Sequence, residues 1–457
     1  MNKDFKDLFS RGVNTFVDPE NSFQEKLGKK IKGEYSKDII IKLGVDPTRP
    51  DIHLGHAVVL KKLRQFQDVG CKVIFLIGDF TAQIGDPTGK SKVRPEITLS
   101  EIESNMKTFL EQVGKILRTD SEVFSWITNS EWFLNVTDIT AGPSASIEFE
   151  GKSVDPNSFI GKAVLFENTR RQKTSLKHTS IQNVSLARLI SILKRVTHAR
   201  LIARDMFQDR LKKGEELYMH EMMYPVLQGI DSVILAQIYG TCDMEIGGTD
   251  QTFNMLIGRD VMKISGVPEQ AVMALDILPG LDGKEKMSKS LDNYISITDS
   301  PTEMFGKVMS LSDDMITTYF KLATYTPQSE IEEIEKKLKD TKTNPRDLKL
   351  RLAQEITAVY HGEKLAKKTE EDFIETFSNK SAPKDVETII VAKGSDISEI
   401  IISQKLVKSK TEWRRLISNG AVMDMTTGEK LISPDAKLEK SVTLKVGKHR
   451  FIKLELL

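Results

Sequence analysis

The sequence predicts an α/β chain: a doubly wound parallel sheet over residues 1–299, a helical domain over 300–392 and a small α+β module over 393–457. Three observations point there. Short apolar runs that end in Gly alternate with stretches of helical period through the first two thirds, the pattern of strands buried between helices. From about Ser300 to Ala392 the period is helical and highly charged. Residues 398–457 carry 12 Lys+Arg against 7 Asp+Glu, although the whole chain is balanced at 66 against 65.

In chain order, Asp38 to Leu43 and Lys72 to Gly78 have the length and composition of buried parallel strands. Between them Leu60, Leu63, Phe66 and Gln67 recur at helical spacing, so Leu54 to Val69 is expected to be a helix that stops at Gly70. Further strands are expected at Val123 to Thr128, Val233 to Ile238 and Val272 to Leu278. Residues 141–184 are rich in Gly, Ser, Asn and Thr without helical period and read as an insertion. Asn344 followed by Pro345 reads as an N-cap with proline at the first helical position. Ser378 to Lys384 has the composition of a linker before the basic module.

Composition narrows the function classes. At 457 residues one core is too few, because cores stop growing near roughly 250 to 300 residues. The best apolar run, Val73 to Ile77, is far short of the roughly 20 residues that cross a bilayer, so no membrane partner is expected. Met1 to Arg11 mixes charges and lacks an apolar signal stretch, which predicts a cytoplasmic protein. Cys71 and Cys242 alone support neither a disulfide framework nor a Cys-rich zinc site, so no protein-held metal is expected.

The chemistry concentrates in two places. Asp46-Pro47-Thr48 and His53-Leu54-Gly55-His56 follow the first strand and open the helix, with both imidazoles at i, i+3 near a helix N-terminus that favours anions. Gly55 lets a base or ribose approach the backbone. Alone, the pair reads equally well as two histidines capping a helix. Far downstream, Gly280 to Ser290 (GLDGKEKMSKS) is a polar loop that delivers Lys286 and Lys289, two ammoniums able to reach a triphosphate. Gly85 to Ser91 (GDPTGKS) is one residue too short between its glycines for a Walker loop, and His220-Glu221 lacks the second histidine of a zinc-protease motif.

HLGH and KMSKS together, in this order, resemble the two signatures of class I aminoacyl-tRNA synthetases; the second match is complete, and Leu54 stands for Ile in the first. YPVLQGID at Tyr224 to Asp231, GGTDQTFN at Gly247 to Asn254 and GDPTGK at Gly85 to Lys90 resemble the bacterial tyrosyl branch. The resemblance implies a Rossmann-like, HUP-type catalytic domain that joins L-tyrosine to ATP and then to tRNA(Tyr). It assigns the substrate ammonium to Asp86, Tyr224 and Gln228, the phenol to Asp231, and the ribose and intermediate to Asp250 and Gln251, with Asp46, Gly55 and Gly248 on the ATP side. His53, His56 and Thr48 would meet the triphosphate; Lys286, Lys289, Lys90 and Arg94 would meet the leaving pyrophosphate. Mg²⁺ would accompany ATP, held mainly by its phosphates.

Three positions depart from the family pattern. Lys42 stands where many tyrosyl enzymes place a tyrosine on the phenol, and it could donate to the phenol oxygen, donate to Asp231 or point away. Ile230 replaces a common aromatic residue, and the insertion after Thr140 falls where relatives pack their dimer. A homodimer is implied by the resemblance alone. Ser409 to Gly420 with Val442 to Leu456 resembles the small RNA-binding fold of a small-subunit ribosomal protein, which would set Arg414 and Arg415 against phosphates. A tryptophanyl enzyme or a non-catalytic RNA-binding descendant are the alternatives.

Overall fold

The computed structural model describes residues 3–88, 97–133, 147–149, 152–154, 184–288, 291–340, 343–378, 386, 388–404, 406–425, 427–447 and 450–456. The chain divides into two compact units. The first is drawn from Met1–Gly280, Lys284–Thr298 and Lys321–Ala323, the second from Leu281–Gly283, Asp299–Phe320 and Thr324–Leu457.

The first unit is built on a six-stranded sheet. Its strands are β1 Val13–Val17, β2 Ile40–Val45, β3 Lys72–Ile77, β4 Phe124–Thr128, β7 Met244–Gly248 and β8 Ala271–Leu275; β5 Ile147–Phe149 and β6 Lys152–Val154 form a separate antiparallel pair within the expected insertion. The order is β1-β8-β7-β2-β3-β4, parallel throughout except that β1 runs antiparallel to β8 at the edge. From β2 the chain winds outward through β3 and β4, then returns to wind the other way through β7 and β8. The order therefore reverses between β2 and β7, and a crevice opens beyond the carboxyl ends of those two strands, where ligands bind in open α/β sheets. Ile74, Leu76, Ile127 and Trp132 meet Val226, Ile230, Val233 and Ile257 in one apolar cluster.

One expected strand is a helix. Val233 to Ile238 lies inside the 21-residue helix Met219–Tyr239, closed by Gly240 in the left-handed region. Val233 to Ala236 are apolar and buried all round the helix, with Gln237 the exposed residue of the stretch, and so short an apolar run does not distinguish a buried helix from a buried strand. The return strand is β7 instead. Met219–Tyr239 packs on the helix Thr252–Ile264 so closely that a Cβ built on Gly229 would come 3.0 Å from the Gly258 Cα, which brings Gln228 and Asn254 within reach of each other.

In the second unit the helices Pro301–Met309, Gln328–Lys339, Pro345–His361 and Glu363–Ser378 follow one another. Asn344 caps its helix as expected, its side chain accepting from the Arg346 N–H at 3.1 Å with Pro345 in the first turn. Residues 379–384 of the expected linker lie outside the described residues. The closing segment forms a sheet of β9 Thr388–Val391, β10 Val422–Asp424, β11 Val442–Val446 and β12 Arg450–Leu456 in the order β10-β11-β12-β9, with the helices Ile397–Ser403 and Lys410–Ser418. Ile401, Trp413, Ile417, Leu444 and Ile452 fill its core.

Candidate active site

The two signatures meet in space. His53 caps the helix Leu54–Asp68, its ring stacked on His56 with centroids 3.9 Å apart, and its own N–H donates to His56 Nδ1 at 3.4 Å. His53 is buried and His56 exposed. The segment that follows the lysine loop stitches this helix start in place: Leu54 N donates to Ile295 O, and Ile297 N to Ile52 O. A Cβ built on Gly55 would lie 3.0 Å from the His53 ring and 3.5 Å from the Met287 Cβ, so the glycine is where the helix start and the lysine loop touch. Lys286 Nζ reaches Asp250 Oδ2 at 3.2 Å, which ties the loop to the end of β7. A Cβ built on Gly248, two residues before Asp250, would sit 2.8 Å from Asp250 Oδ1, so a side chain there would push this carboxylate from its place. The loop is closed by Gly280 N donating to Glu285 O and by Asn293, which accepts from the Ser288 N–H and donates to Lys286 O.

A second cluster fills the same crevice. Tyr224, Gln228 and Asp231 share one face of Met219–Tyr239 through i, i+4, i+7 spacing. The Tyr224 hydroxyl donates to Asp46 Oδ2 at 2.8 Å, and Thr81 donates to Asp46 Oδ1 at 2.8 Å. Thr48 lies two residues beyond, its N–H on Asp46 O. Asp86 accepts from the Thr88 hydroxyl and from Gln251 Nε2, both at 2.6 Å. Gln251 Oε1 and Gln228 Oε1 both accept from Asn254 Nδ2, at 3.1 and 3.0 Å. Asp231, 3% exposed, accepts from Trp132 Nε1 at 3.0 Å and Asn129 Nδ2 at 3.4 Å. Burial pushes its carboxyl up to about 7, against the field of Lys42 and those two hydrogen bonds.

Lys42 is fully buried on β2, and each of its ammonium hydrogens has an acceptor: Gln228 O at 2.8 Å, Glu245 Oε1 at 2.9 Å and Ser232 Oγ at 3.0 Å. Burial pulls this lysine down, yet the Glu245 carboxylate, with Asp231 behind it, holds it above its ordinary value. Of the three alternatives open for Lys42, a hydrogen bond to the phenol oxygen, one to Asp231 or neither, the lysine makes neither, its three hydrogens being spent on Gln228 O, Glu245 and Ser232.

Lys289, Lys90 and Arg94 lie outside the described residues. Arg414 and Arg415 are exposed on Lys410–Ser418 while Trp413 between β-sheet and helix is buried, its indole on Pro434 O at 2.8 Å. Sequence reading missed Asn129, Trp132, Glu245, Asn254 and Arg204. Arg204 is 6% exposed, lies 5.4 and 5.5 Å from the ring centroids of Phe207 and Phe253, and donates to the Thr88 hydroxyl. Two carried a signal: Asn254 closes the Gly247 to Asn254 motif, and Glu245 is an acid between Met244 and Ile246 just before it. Among the described residues no group of three His, Cys, Asp or Glu side chains is arranged to hold a metal, and no helix is long and apolar enough to cross a membrane.

The profile of tRNA synthetases class I (W and Y) matches residues 34–141 and 154–378. The tyrosine–tRNA ligase of Moorella thermoacetica is 39% identical over 450 residues, covering 98% of this chain and 94% of the relative. That of Thermotoga maritima is 38% identical over 437 residues, covering 94% and 93%. In fold, the chain is similar to a C-terminally truncated Aspergillus nidulans mitochondrial tyrosyl-tRNA synthetase (TM-score 0.57, 21% identity, covering 82% of this chain and 95% of that one). It is also similar to the tyrosyl-tRNA synthetase of Archaeoglobus fulgidus, solved with L-tyrosine (TM-score 0.52, 19% identity, covering 81% and 100%). The meeting of both signatures at Gly55 and Met287, the profile match and the full-length relatives agree: the chain belongs to the class I tRNA synthetases of the tryptophanyl and tyrosyl family, on its tyrosyl branch.

Proposed function

We propose that the chain is a tyrosine–tRNA ligase that activates L-tyrosine with ATP and transfers the tyrosyl group to the 3′ end of tRNA(Tyr). The single observation that carries this reading is one crevice, at the switch between β2 and β7, that holds both a polyphosphate end and an amino-acid end.

At the amino-acid end, Asp86, Tyr224 and Gln228 take the ammonium, and Asp231 accepts the phenol hydrogen. Trp132 and Asn129 each donate to Asp231, and the phenol hydroxyl would be its third donor, so a phenylalanine ring would leave a buried carboxylate short of a partner. At the polyphosphate end, His53, His56 and Thr48 face the triphosphate, Gly55 admits the nucleoside, and Asp250, Gly248, Gln251 and Asp46 line the ribose side. The tyrosine carboxylate is already charged, so no protein nucleophile is needed. It attacks the α-phosphate in line, the bond to the bridging oxygen breaks, and pyrophosphate leaves. Lys286, with Lys289, Lys90 and Arg94, stabilises the charge that builds on the leaving group. Mg²⁺ would enter as the companion of ATP, held mainly by the phosphates, and would add positive charge there.

Residues 300–392 would then be the helical anticodon-side domain and 393–457 a small RNA-binding domain with Arg414 and Arg415 on phosphates, in a cytoplasmic homodimer. ATP–pyrophosphate exchange assayed with each amino acid in turn tests the reading. Tyrosine alone should drive it; tryptophan-driven exchange would move the chain to the sister activity, and no exchange with any amino acid would leave a non-catalytic RNA-binding role.

A further inference from the structure

Lys42 and Glu245 face each other across adjacent parallel strands, β2 and β7, and both are shut off from solvent. A buried ion pair is seldom a source of stability, because desolvation of two charges consumes most of the attraction between them. Its hydrogen bonds show what else it does. Glu245 Oε1 accepts from Lys42 Nζ at 2.9 Å and from Gln228 Nε2 at 3.0 Å; Oε2 accepts from Gln270 Nε2 and, at 3.5 Å, from the Ser232 hydroxyl. An ionised carboxylate only accepts. The Gln228 carboxamide must therefore turn its NH₂ toward Glu245, which leaves Oε1 on the opposite side, where Asn254 Nδ2 donates to one of its two lone pairs at 3.0 Å. The direction of this amide is dictated by its partner's chemistry.

That direction matters for a cation. Tyr224 gives its hydroxyl proton to Asp46 and so meets a cation as an acceptor, and Asp86 is a carboxylate. Gln228 completes the set only with its oxygen forward; turned round, it would set two N–H donors against an ammonium.

On the proposed ligase reading, we infer that Lys42 and Glu245 are positioning residues for the amino-acid substrate: the lysine anchors and neutralises the glutamate, and the glutamate locks Gln228 with its carbonyl oxygen toward the α-ammonium. Neither side chain touches the substrate. Lys42 spends its three hydrogens on Gln228 O, Ser232 and Glu245, which also holds down the turn of Met219–Tyr239 that carries Gln228.

The test is competitive inhibition of tyrosine-dependent ATP–pyrophosphate exchange by two analogues, L-tyrosinol, which keeps the ammonium, and 3-(4-hydroxyphenyl)propionate, which lacks it. Glu245→Gln keeps the shape but offers Gln228 a donor as readily as an acceptor. Because that variant leaves Lys42 buried without its counter-charge, Lys42→Met/Glu245→Gln is measured beside it, with neither charge present. Both should weaken tyrosinol by roughly tenfold to a hundredfold, the size of one hydrogen bond to a charged group, and leave the propionate within about threefold. KM for tyrosine should rise far more than kcat falls. Equal weakening of both analogues would mean general damage to the pocket and would overturn the inference, as would no weakening of either. Absence of tyrosine-dependent exchange in the unmodified protein would overturn the ligase reading itself, and this inference with it, before any variant is compared.

Discussion

Replacing Asp231 by Asn should make the protein more stable at alkaline pH while weakening its hold on tyrosine. Burial pushes the Asp231 carboxyl from its ordinary 3.8 up to about 7. The groups that face it are Lys42 from β2 and Glu245 from β7, charged, and Asn129 and Trp132 from the segment after β4, neutral donors. With the folded pKa above the unfolded one, the folded state keeps a proton that the unfolded chain has already released. The contribution of this group to stability is therefore complete below pH 3.8 and is lost as the pH rises through about 7. At about 1.4 kcal/mol per unit, a shift of roughly 3 units corresponds to ~4 kcal/mol, of which ~2 kcal/mol falls between about pH 5.5 and about pH 8.5. Asn does not ionise, so the stability difference between variant and wild type should move by ~2 kcal/mol in favour of the variant across that interval. Urea unfolding of both proteins at the two pH values measures it, and titrations elsewhere cancel in the difference. In the same variant kcat/KM for tyrosine should drop by roughly tenfold to a hundredfold, since the phenol loses a charged acceptor. A stability difference constant to within ~0.5 kcal/mol would show that Asp231 is already an ordinary carboxylate in the folded protein, and the argument that it is a desolvated acceptor would fall.

Three further substitutions probe the rest of the site. Lys286→Ala should slow adenylate formation by roughly 10² to 10³ with tyrosine affinity almost unchanged, because the ammonium acts on charge that appears in the transition state; pre-steady-state kinetics and equilibrium tyrosine binding separate the two, and a parallel loss of binding would contradict the assignment. Gly280→Ala drives a methyl group into the Asn293 side chain and within 2.8 Å of its backbone oxygen, displacing the bracket that holds Ser288 N and Lys286 O, so adenylate formation should fall by about tenfold or more and urea unfolding should show a loss of about 1 to 3 kcal/mol. Arg414→Ala/Arg415→Ala should leave pyrophosphate exchange intact and weaken tRNA charging, with the loss largest at low salt and shrinking as salt is raised; equal charging by variant and wild type over a salt series would remove these arginines from the RNA contact.

The fold was legible wherever local signals were unambiguous. β2 and β3, each followed by a turn residue, and the helix between them stand close to the expected boundaries, and the Asn344-Pro345 start is where capping chemistry puts it. The misreading at Val233 to Ile238 has a physical cause: Val233 to Ala236 are buried all round the helix, so the run shows no period before Gln237, and a short apolar run without period does not separate helix from strand. β1 was missed because antiparallel addition to a sheet edge is a tertiary event; nothing within Val13–Val17 says that its partner is β8, some 260 residues away.

The site divides along the same line. His53, Gly55, Lys286, Tyr224, Gln228 and Asp250 belong to compact motifs whose spacing already places them on one helix face or one loop. Asn129, Trp132, Glu245 and Arg204 come from separate elements and converge only in the folded sheet, where β7 lies beside β2 and β4 follows on the far side of β3. Lys42 shows why the second kind cannot be read from its neighbours. In an apolar strand a lone lysine looks like either a functional cation or a residue turned to solvent. Which of these holds depends on whether the adjacent strand supplies a carboxylate at the matching register. Glu245 does, opposite Lys42, with Gln228 O and Ser232 taking the remaining hydrogens. A cation so fully satisfied has exchanged direct contact with the substrate for control over the groups that make it. The specificity of this pocket therefore rests as much on a strand pairing as on the side chains that touch the amino acid.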